Sequence, residues 1–215
     1  MANTKKQNKN KVEQGANISS TSASLNYTGK VSVKFCKGNK ILKSKTYSNN
    51  GCGPLFKFIA QCLQGEYRQA EKLRPNKIKL FSNNSKDISL SWDDTKSVTG
   101  FVTSNAPADI DVIKDDNNNI IGYKAILHFL VPAVYVDTSA IGEDSKGPGI
   151  NQLCLYSTKE VNEENCSAYF LFTNKEIDDA GNEIVVWDGL SVDDDNENIN
   201  LLIDWEMSIK NNGGN

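Results

Sequence analysis

The chain of 215 residues contains one histidine, His128, and any imidazole chemistry has to be built on it. Nucleophilic catalysis needs a base held against a Ser or Cys and oriented by a third group. His128 stands between Leu127 and Phe129 in an apolar run, which suits a structural histidine with satisfied ring nitrogens better than a catalytic one. Paired carboxylates occur at Asp93-Asp94, Asp115-Asp116, Asp178-Asp179 and Asp193 to Asp195, all in polar segments. A glycosidase-type acid needs an apolar surround to raise one carboxyl pKa, and none is evident beside these pairs. In "VDDDNENIN", Asp193, Asp195 and Glu197 alternate and offer oxygen ligands of the kind calcium takes. The segment lacks the glycine and distal glutamate of an EF-hand loop, so a solvated turn is the competing reading.

The five cysteines, Cys36, Cys52, Cys62, Cys154 and Cys166, are odd in number and widely spaced, with no CxxC pair. A zinc site would have to gather four of these scattered ligands, with His128 as the single nitrogen donor. Small buried hydrophobes carrying free thiols are the expectation. The GxxxxGKS/T, GxGxxG, HExxH and GxSxG patterns are all missing. The inventory therefore points to a protein with no catalytic residues and no cofactor. Of the three tryptophans, Trp205 falls on the apolar face of a strand and reads as core, whereas Trp92 and Trp187 are candidate stacking platforms for a sugar.

Residues 1–26 are polar, lysine-rich and aperiodic, a basic arm expected to be disordered. Its Lys5, Lys6, Lys9 and Lys11 are candidates for docking on an acidic partner, against an otherwise acidic body and a net charge of −3. That balance disfavours nucleic acid. No run approaches the ~18 apolar residues of a membrane span, and the N-terminus lacks the apolar core of a signal peptide, so a soluble protein made in a cytosol is expected. Residues 27–210 read as one domain and 211–215 as a flexible tail.

Alternating runs at Tyr27 to Phe35 and Lys40 to Tyr47 flank Gly38-Asn39 and predict a hairpin. Pro54 opens one amphipathic helix whose stripe Leu55, Phe56, Phe58, Ile59, Cys62 and Leu63 reads as core, with Gly65 as its left-handed stop. Further strands are expected at 77–81, 98–103, 110–114, 120–131, 151–157, 168–174 and 183–186. The last, "INLLIDWEMSIK", has Ile199, Leu201, Ile203, Trp205, Met207 and Ile209 on one face. About ten short strands with one helix predict a mainly β fold, an antiparallel β-sandwich with the helix packed on it.

The succession "YSNNGCGPLFKFIAQCLQGEY", "RPNKIKLFS", "INQLCLYST", "AYFLFTNKEI" and "NLLIDWEMSIKN" resembles a loose family of tailed-bacteriophage virion structural proteins. Gln152 and Cys154 stand where that pattern has Glu and Gly, and "AYFLFTN" lacks its Arg. The resemblance implies β-sandwich subunits of a tail, collar or head appendage, homo-oligomeric, bound to other virion proteins and residing in the virion after synthesis in the host cytoplasm. It carries no catalytic residues. The alternative is a carbohydrate- or receptor-binding module that takes a host surface glycan on Trp92 and Trp187.

Overall fold

The structure, a computed structural model, describes residues 24–82, 90–97, 99–105, 108–133, 150–187 and 198–212. Strands β1 (Ser24–Lys37) and β2 (Lys40–Gly51) form the expected hairpin. Gly38 takes φ +58° at the first of the two loop residues, the position a II′ turn reserves for glycine. The next segment forms two helices where the sequence predicts one. Helix α1 (Gly53–Leu63) has Pro54 in its first turn and ends at Gly65, whose φ is +77°. The chain then restarts as α2 (Tyr67–Leu73). Pro75 stops α2, because the residue before a proline is driven out of the helical region, and Arg74 is extended at φ −60°, ψ 118°.

The remaining strands are β3 (Lys77–Ser82), β4 (Val102–Thr103), β5 (Asp109–Lys114), β6 (Ile120–Val131), β7 (Ile150–Tyr156), β8 (Cys166–Leu171), β9 (Thr173–Ile177), β10 (Glu183–Trp187) and β11 (Ile199–Asn212). β4 is only two residues of the expected 98–103. The run 168–174 divides at Phe172, whose N–H donates to the carbonyl of Asn151 in β7, and β9 then pairs in a sheet of its own. β9 and β10 make a separate two-stranded sheet.

The other nine strands form one antiparallel sheet in the order β4-β3-β7-β8-β2-β1-β11-β6-β5. Its middle seam is thin, since β2 and β8 share only the pairs Asn50↔Tyr169 and Gly51↔Ala168. The sheet curls there into a half-barrel whose two wings face each other. Alternation places Val31, Val33 and Phe35 of β1, Ile199, Leu201, Ile203 and Trp205 of β11, and Leu127, Phe129 and Val131 of β6 on the concave face. They meet Ile78, Leu80, Leu153, Leu155, Ala168 and Phe170 from the other wing in one buried core. β11 is the centre of its wing, paired with β1 from Ile199↔Lys37 to Asn212↔Ser24 and with β6 on its other side.

Candidate functional site

The opposite wing covers only part of the concave face. Toward the start of β6, the same face continues through the paired residues Tyr27, Ile209 and Tyr123, then Met207, Ala125 and Ile110. Here α1 takes the place of the missing strands, and an apolar groove of about 530 Å³ remains between Leu55, Phe58 and Ile59 of α1 and these strand residues. This volume falls within the ~300–1,000 Å³ range of ligand and partner clefts, and open barrel mouths are common places for them. Ile110 is 73% exposed, and Ile120 and Tyr123 are each 55% exposed, so the rim carries large apolar side chains directly into solvent.

The helix stripe is thus not the core that its spacing predicts. Only Leu55 is buried, Phe58 and Ile59 line the groove, and Phe56 and Leu63 are exposed. Periodicity identifies an apolar face but not what covers it, and here α1 packs beside β8 at its start while Phe58 and Ile59 face the open groove.

Two polar side chains near the groove, Tyr27 and Lys124, are already engaged. The Tyr27 hydroxyl donates to Asn49 Oδ1 at 2.9 Å, and burial pushes its phenol far above the ordinary range. Asn49 reaches that position because it lies over Gly29, where any Cβ would fall 1.7 Å from its amide oxygen. Lys124 pairs with Asp111 and Glu206, both at 3.5 Å. Such a cleft offers apolar burial and little polar chemistry.

The histidine and carboxylates lie elsewhere. On the convex face, His128 Nδ1 is 2.8 Å from Asp204 Oδ1 and its Nε2 is 3.1 Å from Asp109 Oδ2, while Lys34 Nζ donates to Asp204 Oδ2 at 2.6 Å. The bond to Asp204 raises the His128 pKa; partial burial opposes it and Asp109 adds to it. Both ring nitrogens are occupied by carboxylates, and this cluster is a cross-strand charge ladder without a nucleophile or a cleft. Asp115 and Asp178 each close their own turn, accepting from the backbone of Asn117 and Asn119, and of Ala180 and Asn182. Asp93 accepts from Thr95 N at the start of a 3-10 turn, and Asp94 pairs with Lys79. These four carboxylates are held in their turns or in an ion pair.

Trp205 is fully buried, as expected. Trp92 is half-buried, edge-on to Tyr169 at 6.4 Å, and Trp187 closes β10. Asp193, Asp195 and Glu197 lie outside the described residues, as do Lys5, Lys6, Lys9 and Lys11. Among the described residues no group of three His, Cys, Asp or Glu side chains is arranged to hold a metal ion, and no helix is long and apolar enough to cross a membrane. The scattered cysteines are free thiols, but Cys52, Cys154 and Cys166 come together on the convex face, which their spacing does not reveal. No protein-family model, no curated protein and no solved structure matches the chain.

Proposed function

We propose that this protein is a structural subunit of a tailed-bacteriophage particle, at the level of the tail, collar or head appendage, that assembles with copies of itself. In this reading the two wings are the layers of a β-sandwich hinged at the β2–β8 seam, and the open end is the assembly surface. The observation that carries it is the apolar groove with its exposed rim of Ile110, Ile120 and Tyr123. Contiguous exposed apolar surface on a soluble domain marks an interaction site. The rim lies on β5, an edge strand of the sheet, and on the adjoining start of β6, and such edges are normally blunted with charge or covered. Here one face of β5 presents Ile110 and Val112 to solvent, which suits coverage by another subunit in a closed symmetric ring. The order of the quoted sequence segments, running from the start of α1 through β3, β7 and β8 to β11, supports the same assignment.

Immunogold electron microscopy of purified particles from the virus that encodes the chain tests the proposal. Gold at one repeated position on the tail, collar or vertex is the expected result. Particles that lack the protein, with all of it in the soluble fraction of the lysate, would overturn it.

A further inference from the structure

Three of the five cysteines meet on the convex face of the β7–β8 wing. Cys154 opposes Tyr169 and Leu155 opposes Ala168, but the register then shifts so that Tyr156 opposes Cys166. The extra residue, Ser167, is a β-bulge, and it turns Cys166 out of the core face that Ala168 occupies and beside Cys154 and Tyr156. Cys52 reaches the same place from across the thin seam. Its N–H donates to the Ser167 carbonyl at 2.9 Å, and its own carbonyl accepts from Leu55 and opens α1. Cys52 is therefore the residue before an eleven-residue helix, with an extended backbone and no hydrogen bond from its side chain to the helix. Cys154 and Cys166 are fully buried and Cys52 is half-exposed, so the solvent-facing member of the cluster is Cys52.

We propose that Cys52 is a reactive thiol and the chain's modification site for low-molecular-weight disulfides and other soft electrophiles, with Cys166 as its positioning residue. A thiolate at Cys52 receives the Cys166 S–H, which lowers its pKa, while partial burial and the nearby Glu163 carboxylate oppose the shift. Cys166 stays protonated because burial pushes its thiol far above the ordinary range, and the bonds it makes to Cys154 and Cys52 push the same way. In the reduced state the Cys166 S–H donates to the Ala168 carbonyl, 3.2 Å away, and Cys52 packs against the same buried cluster. The other titratable groups that face Cys52 are Tyr27 of β1 and Tyr169 of β8, and both stay neutral because burial raises their pKa values. The first turn of α1 has no acidic residue to repel a thiolate, and its aligned peptide dipoles favour negative charge at this end.

The chemistry balances without an added oxidant. The Cys52 thiolate attacks one sulfur of a disulfide RSSR, a bond forms between Cys52 Sγ and that sulfur, and the original S–S bond breaks. The departing RS⁻ takes a proton from water in place of the one Cys52 released. One disulfide is consumed and one mixed disulfide forms.

The test uses the full chain with limiting oxidised glutathione, over about pH 6 to 9, and peptide mass mapping of each cysteine. Cys62, which is also half-exposed and sits near the end of α1, is the internal comparator. Cys52 is expected to react at least about ten-fold faster than Cys62 at neutral pH, with a lower pH midpoint. Cys166→Ala is expected to raise the Cys52 midpoint toward that of Cys62, and Cys166→Ser, which keeps a donor, to restore part of the difference. Equal reactivity of Cys52 and Cys62 in the unmodified protein overturns the site whether or not the variants fold. An unmoved Cys52 midpoint in folded Cys166→Ala overturns the role given to Cys166.

Discussion

Trp205→Ala is the sharpest test of the core. The indole is fully buried, paired across the ladder with Val31 on one side and Leu127 on the other, and edge-on to Phe170 at 5.8 Å. Removing so large a side chain from a packed site costs about 3–5 kcal/mol, the transfer contribution plus the cavity left behind. For a domain of this size each kcal/mol lowers the melting temperature by about 2–4 °C, so a fall of roughly 6–20 °C follows. Among the described residues the indole N–H has no hydrogen-bond partner, and an unsatisfied buried donor carries a penalty of about 1–3 kcal/mol. Trp205→Phe removes that penalty while keeping an aromatic ring against Phe170, so it is expected to cost less than half as much as the alanine variant. Urea unfolding, with the slope checked for constancy, measures both. A loss under about 1 kcal/mol for Trp205→Ala would refute the placement of β11 at the centre of the core, because that is the size of an ordinary surface effect.

Gly122→Ala is expected to destabilise by about 1–3 kcal/mol, since the new Cβ would lie 2.3 Å from the Ile209 carbonyl oxygen; Gly100→Ala, with nothing within 4 Å, is the neutral control in the same melts. His128 has its pKa raised above 6.5, so its charged pairing with Asp204 and Asp109 stabilises fully below that ordinary value and is lost as pH rises through the higher folded value. NMR titration should show the midpoint falling in Asp204→Asn, and an unchanged midpoint would refute the pairing. Exchanging Lys5, Lys6, Lys9 and Lys11 for Gln should leave the melting temperature within about 1–2 °C but reduce incorporation into particles, an effect that salt imitates by screening. Normal incorporation would make the arm a passive tail.

Strand content was legible because alternation is a local signal: β6 runs Ile120–Val131 and β11 contains the whole predicted run from Ile199. Gly38, Gly65 and Pro54 acted through backbone geometry that no tertiary contact had to supply, and they marked the hairpin turn and the ends of α1 correctly. The second helix was missed because Tyr67–Leu73 buries little besides Ala70 and so shows no apolar period. What lay beyond the sequence was long-range closure. The groove exists because the opposite wing ends before it reaches Tyr123 and Ile209, and the thiol cluster exists because a bulge at Ser167 meets a two-pair seam. Neither the length of a wing nor the position of a bulge leaves a trace in residue spacing. His128 read as a satisfied structural histidine, but its partners Asp204 and Asp109 are 76 and 19 residues away, visible only once β11, β6 and β5 are in register.

In the proposed assembly the open end of the half-barrel is covered by another copy of the chain. Sedimentation equilibrium of the native protein beside the double variant Ile110→Glu, Tyr123→Glu tests it most directly. Both side chains are more than half exposed, so the fold should survive the change. The account requires a closed oligomer for the native chain and a folded monomer for the variant, because two buried charges on each protomer would disfavour the contact. A native chain that stays monomeric at the highest concentration reached, or a variant that keeps the native mass, would contradict it.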